Sequence, residues 1–238
     1  MNILLTRPLI DTENLMRELL IQGHKIIHLP TLQIINLNLP PIHLDKYFSL
    51  IFTSANSVRN LKVIGDKSKI ICYCVGSITE KLARSKGFTN TVSAGGTAEA
   101  LKNLIFNSIV PSKDKRLAYI CGDQTSIDLD QELSKEGHKV DKIVNYKSKK
   151  ISNINDANVK LIENYPPNLI FVYSLRSAES FIDITNNYSL APMMTQSIVM
   201  CISKKIKDYF TKSGWKKTQI FDPGEEIIKL ESINGSIK

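Results

Sequence analysis

Leu15-x3-Leu19-x3-Gly23-His24-Lys25-Ile26 returns 114 residues later as Leu129-x3-Leu133-x3-Gly137-His138-Lys139-Val140. Leucines four apart share one face of a helix, a glycine ends that helix, and the residues after it open a strand. Each copy follows a short apolar run, at 3–5 and at 117–121. A strand–helix–strand unit that recurs at a fixed distance marks a duplicated chain.

Working outward, a second unit also recurs. Leu50-Ile51-Phe52-Thr53-Ser54 parallels Leu169-Ile170-Phe171-Val172-Tyr173-Ser174. Ser77-x9-Gly87-Phe88 parallels Lys204-x9-Gly214-Trp215, and Gly96-Thr97 parallels Pro223-Gly224, both 127 residues apart. The order is therefore A, B, A′, B′, over about 1–33, 49–108, 115–150 and 168–235. Two strands from an A unit and three from a B unit make one five-stranded sheet. Extended segments at 30–37 and 144–150 follow the two A-type strands, so the chain either pairs neighbours in tandem or leaves the first domain and returns to it. Handedness and short connections restrict each domain without choosing between these layouts.

The remaining pattern is strand and helix in alternation, as in parallel α/β sheets. Strands are expected at 3–5, 25–29, 32–37, 49–53, 70–75, 91–92, 117–121, 139–146, 169–173, 197–202 and 218–221. Helices are expected from Asp11 or Thr12 to Gly23, and over 57–63, 77–86, 98–105, 126–135, part of 152–164, 177–186, 204–212 and 223–231. In such sheets ligands meet the carboxyl ends of the strands, where helix N-termini present backbone N–H groups suited to carboxylates or phosphates.

With 238 residues, 42% hydrophobic and 23% charged, the composition is that of a folded globular chain. No apolar run approaches the roughly 18–20 residues needed to span a bilayer. The first residues, Met1 to Pro8, lack a basic region and a long apolar stretch, so the expectation is a soluble protein of the cytoplasm. Four cysteines lie in or beside strands without His or Cys partners at metal-ligand spacing, so they are expected as buried thiols with no metal. The formal charge of +8 favours anionic partners, but the lysines are scattered and form no nucleic-acid-binding signature. Neither a Ser/Thr-rich flavin phosphate loop after the first strand nor a Gly-x-Gly-x-x-Gly run is present.

Ile3-Leu4-Leu5-Thr6-Arg7-Pro8, Phe52-Thr53-Ser54-Ala55-Asn56-Ser57-Val58, Val75-Gly76-Ser77-Ile78-Thr79 with Leu82 and Gly87, Gly95-Gly96-Thr97-Ala98-Glu99-Ala100-Leu101, Cys121-Gly122, Tyr146 and Tyr173-Ser174 together resemble the uroporphyrinogen-III synthase family of tetrapyrrole biosynthesis. The resemblance covers nearly the whole chain and rests on the order and spacing of these turns. It implies two flavodoxin-like or Rossmann-like α/β domains with parallel five-stranded sheets, joined by a two-stranded ladder. It also implies a discontinuous domain of 1–33 with 167–238, a second domain at 38–146, linkers near 30–37 and 144–152, and a cleft between the domains. The implied reaction is a lyase step: hydroxymethylbilane loses water and closes with inversion of ring D to give uroporphyrinogen III. No cofactor is implied. A monomer is expected, without nucleic-acid or membrane partners, touching the preceding pathway enzyme transiently at most.

Carried onto this chain, the resemblance points to Tyr146 as the catalytic residue, its phenol assisting departure of the hydroxyl. Arg7, Ser54, Gly76, Thr79, Gly96, Thr97, Gly122, Ser174 and Lys204 are the expected substrate contacts. Plainer readings exist for several: a strand aromatic for Tyr146, a surface ion pair for Arg7, helix-start hydroxyls for Ser54, Thr79 and Ser174. The chain departs from the family pattern at Ser203-Lys204-Lys205-Ile206, where a glycine and a threonine are usual. A serine there is expected to limit the backbone, which leaves open a weakly active or inactive two-lobed protein that binds an anion or tetrapyrrole.

Overall fold

The computed structural model describes residues 1–235; the last three residues of the expected 167–238 segment lie outside them. The chain divides into two compact units, Met1–Gln33 with Lys149–Lys238, and Ile34–Ser148.

In chain order the elements are β1 (Asn2–Leu5), α1 (Leu9–Ile21), β2 (Lys25–His28), β3 (Leu32–Asn36), β4 (Ile42–His43), a 3-10 turn (Leu44–Lys46), β5 (Ser49–Phe52), α2 (Ala55–Arg59), β6 (Val63–Ile64), β7 (Ile71–Cys74), α3 (Ser77–Ser85), β8 (Asn90–Ser93) and α4 (Ala98–Ser108). They continue as β9 (Arg116–Gly122), α5 (Leu129–Lys135), β10 (Lys139–Lys150), α6 (Asp156–Asn164), β11 (Leu169–Val172), α7 (Leu175–Asn187), α8 (Ala191–Met194), β12 (Ile198–Cys201), α9 (Lys204–Lys212), β13 (Thr218–Ile220) and α10 (Glu226–Gly235). Among the described residues no helix is long and apolar enough to cross a membrane.

The sheet of the first unit runs β13-β12-β11-β1-β2, and each of its ladders is parallel. The A strands thus join the B′ strands, which decides the pairing that the repeat left open. The other sheet runs β3-β10-β9-β5-β7-β8, so A′ joins B and β3 adds a sixth strand beside β10. Numbered within its own A and B pieces, each sheet has the order 2-1-3-4-5, and its switch point lies between β1 and β11 or between β9 and β5.

Strands buried on both faces explain the unbroken apolar runs. Leu4, Ile170, Val172 and Val199 pack with Phe181, Phe210 and Trp215 on one side of the first sheet, while Ile3, Leu5, Phe171 and Met200 pack with Leu19, Phe221 and Leu230 on the other. In the second sheet Phe52, Cys74 and Ile120 meet Val58 and Ala83, and Ile51, Tyr119 and Cys121 meet Leu101, Leu129 and Leu133.

Several helix starts differ from expectation. α1 begins at Leu9 behind Pro8, not at Asp11 or Thr12; Thr12 lies inside it, 1% exposed, its hydroxyl donating back to the Pro8 carbonyl. α2 covers Ala55–Arg59 rather than 57–63, because Ser54 caps it early and the chain then turns into β6, which pairs with β4. α5 opens at Leu129, three residues after the expected start.

Candidate active site

At the carboxyl edge of the first sheet, Thr6 and Arg7 follow β1, Tyr173 and Ser174 follow β11, and Ser203 and Lys204 follow β12. A buried hydroxyl net ties the first two turns together. Thr6 Oγ1 donates to the Phe171 carbonyl at 2.7 Å, and Thr31 and Ser177 share a hydrogen bond at 2.6 Å. Ser177 Oγ donates to Thr6 Oγ1 at 3.3 Å. Ser174 caps α7, its hydroxyl accepting from the Ser177 N–H at 3.0 Å. A cap satisfies one of the four orphan N–H groups of a helix start.

The Arg7 guanidinium lies 4.0 Å from the centre of the Tyr173 ring. This contact replaces the surface ion pair considered for Arg7 and keeps its charge at the switch point. The Tyr173 hydroxyl donates to Glu226 Oε1 at 3.0 Å, and the Gly224 N–H donates to Glu226 Oε2 at 2.8 Å. Burial first, then the Glu226 charge, pushes the Tyr173 phenol well above its ordinary pKa, so this tyrosine is a fixed platform rather than a proton donor to solvent.

At the carboxyl edge of the second sheet, Ser54 caps α2 by accepting from the Asn56 N–H at 3.2 Å, and Thr97 caps α4 by accepting from the Ala100 N–H at 3.1 Å. Gly76 precedes α3, and a Cβ there would stand 3.3 Å from the Gly96 Cα. The close approach of two backbones explains that glycine, since its φ of −161° is extended and open to any residue. Ser203, its counterpart, has φ −157° and caps α9 through the Ile206 N–H at 3.4 Å. The serine therefore costs no backbone freedom, contrary to expectation, and supplies a cap instead. Thr79 is 4% exposed on the buried face of α3 with Ala83, which withdraws it from the solvent-facing edge. Lys204 is exposed at the first position of α9.

Tyr146 and Gly122 meet where β10 runs beside the carboxyl end of β9. A Cβ built on Gly122 would lie 2.6 Å from Tyr146 Cζ, 2.7 Å from Cε2 and 2.9 Å from the hydroxyl oxygen. The phenol thus lies close against the end of β9, and Tyr146 keeps 9% exposure. Its place comes from a bulge: Val144 pairs with Cys121 but Tyr146 pairs with Gly122, leaving Asn145 as the extra residue of β10. Beyond the bulge the Asp123 N–H donates to the Tyr146 carbonyl at 3.0 Å, and Asp123 Oδ1 accepts from the Ser148 N–H at 3.0 Å. Nearby, Thr53 and the Tyr119 hydroxyl lie 3.3 Å apart.

Sequence reasoning did not identify Glu226 or Asn145. Glu226 is 53 residues from Tyr173, with no spacing signal to link them, and a bulge leaves no mark in the alternation of Val144, Asn145 and Tyr146.

Among the described residues no group of three or more His, Cys, Asp or Glu side chains is arranged to hold a metal. The four thiols are buried. Burial pushes Cys121 up to about 11 and Cys74 and Cys201 up to about 12, and raises Cys72 further. At pH 8 each is a thiol rather than the reactive thiolate. A chromogenic disulfide reagent should label none of them in the native protein and all four after unfolding in guanidinium; native labelling at the rate of a free thiol would contradict the buried assignment.

No curated protein matches the chain. Among solved structures it is similar to the uroporphyrinogen-III synthetase of Helicobacter pylori, with a TM-score of 0.62 at 16% identity over 100% of this chain and 99% of that one. It is also similar to a mutant uroporphyrinogen III synthase of Thermus thermophilus, with a TM-score of 0.59 at 13% identity over 99% and 98% of the two chains. At such identities the likeness speaks for the fold. The sequence profile described as uroporphyrinogen-III synthase HemD matches residues 13–221. With that match across most of its length, the chain belongs to the uroporphyrinogen-III synthase family.

Proposed function

We propose that this chain converts hydroxymethylbilane to uroporphyrinogen III, closing the ring with inversion of ring D and release of one water. The observation that carries the reading, beyond family membership, is the phenol of Tyr146 seated on Gly122 at the carboxyl end of β9.

The substrate bears eight carboxylates, and its terminal hydroxymethyl group leaves as water once protonated or hydrogen-bonded. The resulting azafulvene cation attacks the substituted carbon of ring D to form a spiro pyrrolenine. Fragmentation and reclosure, with loss of a proton, give the asymmetric product. Tyr146 donates its hydroxyl proton in a hydrogen bond to the leaving oxygen; phenols remain protonated at neutral pH and so act as donors rather than bases. Gly122, under the ring, sets how deep the phenol sits.

Arg7, Lys204, the Gly96–Thr97 turn and the capped turns at Ser54 and Ser174 bind the carboxylates. Arg7 suits this role because its ring platform orients the planar guanidinium without neutralising it, leaving N–H groups for bidentate contact. Thr79 is left out because it is buried.

Two variants test the assignment with fresh hydroxymethylbilane. Tyr146→Phe should lower kcat about 100-fold, at the low end of a positioned proton donor's contribution. Its melting temperature should stay near the parent's; an unchanged kcat would remove Tyr146 from the chemistry. Arg7→Gln should raise KM about tenfold or more at nearly constant kcat, as expected for loss of one charge-assisted contact of about 1.5–3 kcal/mol. An unchanged KM would exclude Arg7 from binding.

A further inference from the structure

We propose that Asn145 is a positioning residue for Tyr146, acting through the bulge of β10. The proposal deepens the reading of Tyr146 given above and rests on it. Without the bulge, the residue after Val144 would pair with Gly122, and Tyr146 would fall one place further along the strand. The extra residue is what brings the phenol over the glycine.

A bulge leaves backbone groups out of the regular ladder, so something must hold its shape. Asn145 does so from two sides. Its side-chain Nδ2 donates to the Ser57 carbonyl in α2 at 2.7 Å, and its own carbonyl accepts from the Leu37 N–H at 3.0 Å. The residue is 3% exposed, so neither bond competes with bulk water. The donation to a carbonyl fixes which side-chain atom is nitrogen. Asn145 Oδ1, by contrast, meets no donor among the described residues. Cutting the bond to Ser57 therefore leaves the amide with no side-chain hydrogen bond among the described residues. A buried amide held by one strong bond, at the bulge and next to the phenol of Tyr146, serves to set the ring's position.

Asn145→Ala removes the donor and leaves the strand pairing to relax. A misplacement of about 1 Å near a reacting group costs up to about 100-fold in rate. The expected result is a fall in kcat of about tenfold or more, with KM within about twofold of the parent. In a Tyr146→Phe background the same change should lower kcat no further. Asn145→Ser, too short to reach the Ser57 carbonyl, should behave alike and serves if the alanine variant folds poorly. Fluorotyrosine labelling gives a readout that needs no turnover: the ¹⁹F line absent from Tyr146→Phe should shift or broaden in both Asn145 variants. An unchanged line, or effects of Asn145→Ala and Tyr146→Phe that multiply in full, would overturn the proposal. If Tyr146→Phe alone left kcat unchanged, the reading of Tyr146 would fail, and the ¹⁹F line would still decide whether Asn145 places the ring.

Discussion

Gly122→Ala is expected to lower kcat about 100-fold and to cost about 1–3 kcal/mol of stability, the range for adding a methyl group to a filled site. The new Cβ would lie 2.6 Å from Tyr146 Cζ, where carbon atoms in contact normally stand about 3.5–4.0 Å apart. The obstructing atoms belong to an aromatic ring on the neighbouring strand, so the ring must tilt off β9 and carry its hydroxyl with it. For a chain of this size the melting temperature should fall about 2–4 °C per kcal/mol. The double variant Gly122→Ala/Tyr146→Ala separates the causes. In a Tyr146→Ala background, itself destabilised by loss of a buried ring, Gly122→Ala should cost little further stability, and activity should stay low. Wild-type kcat in Gly122→Ala, checked by steady-state assay beside a circular dichroism melt, would show that the ring's seat has no bearing on turnover.

The second large effect concerns the other sheet. Glu226→Ala should destabilise the protein by about 1–3 kcal/mol, since the buried Tyr173 hydroxyl loses its acceptor, while the N–H of the exposed Gly224 can turn to water. Glu226 is 7% and Tyr173 8% exposed, so water does not readily replace the carboxylate. The loss propagates to Arg7, whose guanidinium rests on the Tyr173 ring, and KM should rise along with the fall in melting temperature. Glu226→Gln keeps one carbonyl acceptor and should lose less of both. Equal melting curves for Glu226→Ala and the parent, recorded by calorimetry, would show that the pair carries no stability.

Sequence alone was most informative where the signal is repeated or continuous. The copies at Leu15 and Leu129 marked the duplication, and runs such as Leu169–Val172 marked strands covered on both faces. The edge residues followed from the strand ends, which is why Arg7, Ser54, Gly122 and Ser174 were within reach. What depended on long-range pairing was not legible in the repeat itself and came only as an implication of the family resemblance. The joining of A to B′ is a matter of which sheet edge the returning strands find. Helix starts were misplaced where local capping chemistry and the tertiary chain path disagreed: Thr12 looked like a cap but turned inward, and Ser54 ended the loop earlier than the apolar spacing implied. The glycine of Gly76 looked like a conformational requirement that Ser203 would violate. Both residues are extended, and the glycine answers instead to the nearby Gly96 backbone. Thr79 looked like an edge hydroxyl because helix numbering alone does not say which face a neighbouring sheet covers.

The inverting closure itself is tested most directly by the isomer formed. Fresh hydroxymethylbilane closes slowly without help and without inversion, to the symmetric type I macrocycle. With the protein added, chromatographic separation after oxidation to the porphyrins should show type III as the main product. Type I alone, at the rate seen without protein, would contradict the account.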